Sequence, residues 1–222
     1  MSEGFEYGAA RLNEPTLRGV GRCPHCSIAT PLLTRIQTGT FEMTASDGVK
    51  TKWCAYACSY CGGWITAKAA ENDSLGNPLA VQIFPRPRVA HDDLPPVVRR
   101  FLQQAFDTSH APDAAAVMAG SAVDAMLKEL GLRDGSLYSR IDQALQKNML
   151  TQAMADWAHE VRLGSNRPRH ADADRPHVTE AEARQSVEFA DALGNFLFVL
   201  TARIERGRAE AAKAEAEAAT KS

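Results

Sequence analysis

The sequence predicts an α+β chain, mainly α, with a small β unit ahead of a helical bundle. Three observations carry this expectation. Period-two alternation of apolar and polar residues is concentrated before residue 70, all five cysteines fall between residues 21 and 70, and apolar residues recur at helical spacing from Pro95 onwards. The chain has 222 residues, 45% hydrophobic and 23% charged, enough for a core without special staples. Its formal net charge is -2, so no global field draws it to nucleic acid or acidic lipid, and polyanion binding would need a local patch. The opening residues MSEGFEYGAARLNEP contain no secretory apolar run, and the longest aliphatic-aromatic run, residues 196–200, is far too short to span a bilayer. The expected location is cytoplasmic, with no membrane partner and with thiols kept reduced.

Residues 1–20 are polar and Gly-rich and read as a flexible N-terminus. Within 21–70, Phe41, Met43 and Ala45 alternate with polar residues, as do Val49, Thr51 and Trp53; Asp47-Gly48 between them marks a hairpin, because both residues tolerate positive φ. Residues 71–94 read as a linker holding at most one strand, AVQIF at 80–84, before Pro85, Pro87, Pro95 and Pro96 interrupt regular structure. The bundle is expected over 95–207. Pro95 and Pro96 suit a helix start. A second helix runs from about Asp113 to Leu130, with Gly131 just past its end. Ser136 is a good N-cap for a third. A fourth begins near Thr151 and is expected to end at Leu163-Gly164. The last opens on the capping box Thr179-Glu180-Ala181-Glu182 and presents an apolar face from Val187 to Ile204. Phe189, Phe196 and Phe198 on it read as core or dimer interface. Residues 208–222 form a charged tail expected to fray.

Cys23-Pro24-His25-Cys26 and Cys58-Ser59-Tyr60-Cys61 are two CxxC pairs with 31 residues between them. Two residues between thiolates let one tight turn aim both sulfurs at one ion, and two such turns complete a tetrahedral Cys₄ site suited to structural Zn²⁺. The intervening hairpin matches a zinc ribbon. Cys54 reads as a buried thiol that could replace Cys58, and His25 could compete as a ligand. The alternative is four unrelated core cysteines.

Between the fourth and last helices lies RLGSNRPRH, residues 162–170, whose glycine and proline predict a basic loop. Arg162 can fork onto phosphate oxygens, and His170 has the only side chain there whose ordinary pKa suits acid-base work. Asn166 could orient a ribose hydroxyl or supply a left-handed turn. Arg167, Arg169 and Arg175 add phosphate-binding charge, opposed by Glu160, Asp172 and Asp174, and His159 and His177 flank the stretch. The bland reading is a solvated structural loop.

The order IFPRPRVAHDDLPPVVRRFLQQAF, AAAVMAGSAVDAMLKELGL, SLYSRIDQALQKNML, HEVRLGSNRPRHADAD, TEAEARQSVEFADALGNFLFVL resembles a bacterial family of unknown function, domain-of-unknown-function family 4145, over residues 23 to about 206. Its members often carry an N-terminal CPxC zinc ribbon, and the family is similar to the HEPN helical bundles. Many of those are metal-independent ribonucleases, or nucleotide-binding remnants of them. The resemblance implies a HEPN-like bundle that binds RNA or a nucleotide, with Arg162, Asn166 and His170 as the catalytic set of an endoribonuclease of toxin or phage-defence type. It also implies a homodimer in which two such sets face each other. Here seven residues separate Arg162 from His170, and Asp124 stands where the related pattern has a glutamate; a pair with Arg162 would let it orient the guanidinium. The second reading is a non-enzymatic zinc-ribbon adaptor that docks another protein or DNA.

Overall fold

The computed structural model describes residues 11, 12, 14–71, 74, 76–170 and 173–220, the side chains of 218–220 excepted. They form two compact units, Met1–Val89 and Ala90–Ser222. Each unit has its own apolar core. Among the described residues no helix is long and apolar enough to cross a membrane.

The first unit is one antiparallel sheet: β1 (Thr16–Leu17), β2 (Leu33–Arg35), β3 (Phe41–Thr44), β4 (Lys50–Cys58), β5 (Trp64–Ala69) and β6 (Ala80–Phe84). The order is β1-β2-β4-β5-β6, with β3 also on β4. β4 is its spine. Cys54, Tyr56 and Cys58 alternate inward along it, and Ile65, Ala67 and Ala69 do the same on β5. The Asp47-Gly48 hairpin joins β3 to β4, with the Ala45 amide donating to the Val49 carbonyl at 2.9 Å and Gly48 at φ +84°.

Two sequence expectations change here. Residues 11–20 are not a flexible end: Leu12 and Leu17 are wholly buried, β1 pairs with β2, and the buried Tyr56 hydroxyl donates to the Leu12 carbonyl at 2.8 Å. Residues 1–10 and 13 lie outside the described residues. Residues 71–94 hold the one strand expected at AVQIF: β6 pairs with β5 and buries Ala80 and Ile83. What changes is the end of the segment, where Ala90 and Leu94 enter the second unit's core. β1 and β6 each continue the backbone ladder, on β2 and on β5.

The second unit is helical: α1 (Pro96–Asp107), α2 (Pro112–Glu129), α3 (Leu137–Gln146), α4 (Gln152–His170), α5 (Glu180–Gly194), a π-helical turn (Asn195–Val199) and α6 (Leu200–Thr220). Pro96 and Pro112 open α1 and α2, Ser136 caps α3 by accepting from the Ser139 amide, and the Thr179–Glu182 capping box opens α5. Gly131, at φ +86°, ends α2. α2 is buried along nearly its whole length and packs on α1, α4 and α5.

α4 overturns the predicted basic loop: it runs helically to His170, through Gly164 and with Pro168 inside it. Asn166 is therefore helical and supplies no left-handed turn. Packing outweighs propensity here. Gly164 and Ser165 are buried, and Ser165 lies against Gly120 of α2, where a Cβ would sit 2.5 Å from the Ser165 hydroxyl. The close contact of α2 with α4 thus depends on two small residues and compensates for two poor helix formers. Pro168 falls in the last turn, where its missing N–H costs one bond at most.

Candidate functional site

The first candidate is built by two turns of like construction. Ser27 donates its amide to the Cys23 carbonyl at 2.9 Å, and Cys23 donates to the Ile28 carbonyl at 3.0 Å. Gly62 donates to Cys58 at 2.8 Å, and Cys58 donates to Gly63 at 2.9 Å. In both turns the residue after the second cysteine has positive φ, +60° at Ser27 and +72° at Gly62, which lets each chain fold back over its sulfurs. The His25 amide donates to Cys23 Sγ and the Gly63 amide to Cys61 Sγ, each at 3.4 Å. All four sulfurs of Cys23, Cys26, Cys58 and Cys61 lie within 4.8 Å of one another, and all are free thiols. They are close enough to hold a metal ion. Burial pushes the Cys26 thiol up to about 12 and raises Cys23 too; at Cys58 burial also pushes upward, but hydrogen bonds from the Cys61 and Tyr60 amides and with the Cys23 and Cys61 sulfurs together hold the thiol below its ordinary value.

Cys54 is not part of this cluster; it is buried in β4, with its sulfur 3.8 Å from the Gly39 carbonyl. The His25 ring is occupied as well. Its Nε2 lies 2.7 Å from the Trp64 carbonyl, and it fills the space over Gly63, where a Cβ would meet the ring at 2.5 Å. His25 therefore ties one turn to the other.

The second candidate is a cleft of ≈ 560 Å³ in the helical unit, lined by α1, α2, α3 and α4. Its apolar lining includes Val97, Phe101 and Leu137, and its polar lining includes Glu129. Arg162, Asn166 and Arg169 also line it, and i, i+4, i+7 spacing puts them on one face of α4. The Arg162 guanidinium sits over the Tyr138 ring, 5.3 Å from its centroid, and its Nε is buried with no acceptor among the described residues. Arg169 donates to the Ser121 hydroxyl at 2.8 Å. The His159 ring packs tilted on Tyr138, centroids 4.7 Å apart, with Nε2 on Asp142 at 3.1 Å and Nδ1 buried without a partner among the described residues.

Asp124 lines the cleft but does not orient Arg162. It accepts from Arg140 Nε at 3.0 Å and Nη2 at 2.5 Å, and from Lys128 Nζ at 2.6 Å. Arg140 starts α3's second turn beside Asp124 and is nearly fully buried, so it has first claim on the carboxylate. Arg167 and Arg175 do not point a free charge at the cleft: both bond Glu182 Oε1, at 2.9 and 2.8 Å. The Thr179 amide, and then Arg167, hold the Glu182 carboxyl down at about 2. His177 lies 2.6 Å from Asp113, whose carboxyl is held below its usual range first by the Val178 amide and then by His177. His170 is exposed at the end of α4 and is not among the lining residues. Eight residues of helix put it about 12 Å along the axis from Arg162. Asp172 lies outside the described residues.

The structure thus brings Arg162, Asn166, Arg169 and Asp124 to one cleft and leaves His170, Arg167 and Arg175 off it. Sequence reasoning missed Tyr138, Arg140 and Lys128. Lys128 had a readable signal, four residues after Asp124 on one helix; Tyr138 and Arg140 had none, since their partners lie on other helices.

This buried-arginine cleft sits in a region of known family. Residues 102–212 match the family described as "Domain of unknown function (DUF4145)". The match spans half of the chain, and the protein belongs to that family. No curated protein and no solved structure matches the chain.

Proposed function

We propose that the helical unit is a HEPN-like bundle that binds a phosphate-bearing ligand, RNA or a nucleotide, in the α1–α4 cleft. The observation that carries this reading is Arg162. A guanidinium held over Tyr138, with its Nε buried and without an acceptor among the described residues, is oriented before any ligand arrives. Arg169 extends the cationic face, Asn166 offers an amide to a sugar or base, and the apolar lining takes a planar or apolar part.

Cleavage is the finer form of the same reading. Attack of a 2′-hydroxyl on the adjacent phosphorus needs a base to take its proton, a cation to stabilise the phosphorane and an acid to protonate the leaving 5′-oxygen. Arg162 supplies the cation. His170, outside the cleft of its own chain, would serve as base or acid only for an RNA that runs past the end of α4.

In the other unit, the donor set fits structural Zn²⁺. Zn–S bonds of about 2.3 Å give a tetrahedral S–S edge of about 3.8 Å. The Cys23 and Cys61 sulfurs are 3.9 Å apart. Four thiolates would leave no open position, so the ion would hold the two turns together and take no part in chemistry. This supports a zinc-ribbon reading of the sheet. An adaptor role has its own observation: Tyr60 and Trp64, beside the second turn, are 68% and 70% exposed.

The test is binding of end-labelled mixed RNA and of nucleoside phosphates in chelator, with product analysis. Arg162→Gln should weaken binding by about ten- to a hundredfold, the worth of a charged hydrogen-bond fork. Loss of 2′,3′-cyclic phosphate products in His170→Ala would establish cleavage. Equal binding by wild type and Arg162→Gln would refute the cleft assignment, and indifference of RNA to both changes would leave the adaptor reading.

A further inference from the structure

We infer that α6 is a self-association helix that pairs antiparallel with α6 of a second copy of this chain. Every residue from 203 to 217 is exposed. At its base the helix is fixed to its own bundle, because Arg206 forks onto Asp93 at 2.8 and 2.7 Å. Leu200 and Ile204 nevertheless face water, 48% and 52% exposed. Together with Gly207 and Ala211 they recur at alternating four- and three-residue spacing, the a/d seam of a two-helix coil. A seam of this kind gains stability only against another helix.

The flanking charges select both the occupant and its direction. One edge of the seam carries Arg203 and Glu210, and the other carries Arg208 and Glu215, each pair seven residues apart. The base of α6 is thus basic on both edges and its outer part acidic on both. In a parallel pair opposite edges meet, which sets Arg203 beside Arg208 and Glu210 beside Glu215, like charge on like. In an antiparallel pair equal edges meet. Arg203 then faces Glu210 of the second copy, twice by two-fold symmetry. The same register sets Leu200 opposite Ala211 and Ile204 opposite Gly207, large against small, so the backbones approach closely. In this register a second copy matches in shape and in charge along the Arg203–Glu210 edge, while Arg208 on the other edge faces Thr201.

Sedimentation of the full chain over a dilution series tests this. The wild type should show a reversible monomer–dimer equilibrium that weakens with salt. Arg203→Glu and Glu210→Arg should each weaken it about tenfold or more, since each turns two facing pairs from attraction to repulsion. The double variant, with the charges exchanged, should restore it to within a few-fold. All three changes lie on an exposed surface and act on the Asp93–Arg206 pair only through space, so thermal melts should show the bundle little changed. A wild type that stays monomeric up to about 0.1 mM would overturn the inference. So would a dimer indifferent to both single changes, which would place the interface elsewhere, or a dimer tightened by Arg203→Glu, the signature of parallel pairing.

Discussion

Replacing Asp124 with Asn keeps the shape of the side chain and removes its charge. Arg140 then loses its ionic partner while remaining 6% exposed. Stranding a fully buried charge costs about 3–5 kcal/mol. Two features reduce this. The Asp124 side chain is 22% exposed, so water reaches part of the site, and the Arg140 Nη1 keeps its bond to the Gly135 carbonyl. The Lys128 arm is half exposed and adds only about 0.3–0.5 kcal/mol. The expected loss is about 2 kcal/mol, or roughly 4–8 °C in Tm for a unit of this size. Urea and thermal unfolding followed by circular dichroism would measure it. A double-mutant cycle decides the partner: Asp124 with Arg140→Gln should couple by about 1 kcal/mol or more, and Asp124 with Arg162→Gln by less than about 0.5 kcal/mol. A loss below about 0.5 kcal/mol, or stronger coupling to Arg162, would refute the reasoning and return Asp124 to an orienting role.

Two further outcomes follow from the same contacts. Glu182 is held at about 2 against an ordinary 4.5, so its stabilisation is complete above pH 4.5 and is lost as pH falls from there towards 2; in Glu182→Gln, stability across that window should fall less steeply than in wild type, and an unchanged acid limb in urea titrations would count against the Thr179–Arg167–Arg175 cluster. Cys26→Ser should lower the bound zinc measured by elemental analysis from one ion per chain and destabilise the sheet unit, as chelator should in the wild type; unchanged stoichiometry would remove Cys26 from the ligand set.

The legibility of this protein varied with the range of the signal. The Asp47-Gly48 hairpin, the Ser136 cap and the Thr179–Glu182 box were readable because each is closed by atoms within three residues. The four clustered cysteines were readable because each CxxC turn is local, although their convergence spans the whole β unit. Of the edge strands, β6 was legible as the apolar run AVQIF, whereas β1, two residues long, owes its existence to the strand it pairs with.

RLGSNRPRH marks where local reading ends. By itself the sequence determined the chemistry available there, a set of guanidiniums, an amide and an imidazole. Tertiary packing decided everything about their arrangement. Ser165 fits against Gly120 of α2, and Gly164 faces Ser186 of α5, only if α4 continues, and that continuation turns Arg162, Asn166 and Arg169 to one cleft and carries His170 away from it. Arg140 takes Asp124, and Glu182 takes Arg167 and Arg175, because helix contacts bring those groups together from positions 15 or 16 residues apart or, for Arg175, across the turn before α5. Residue type and spacing are properties of the chain, whereas a charge's partner is a property of the distances that packing sets.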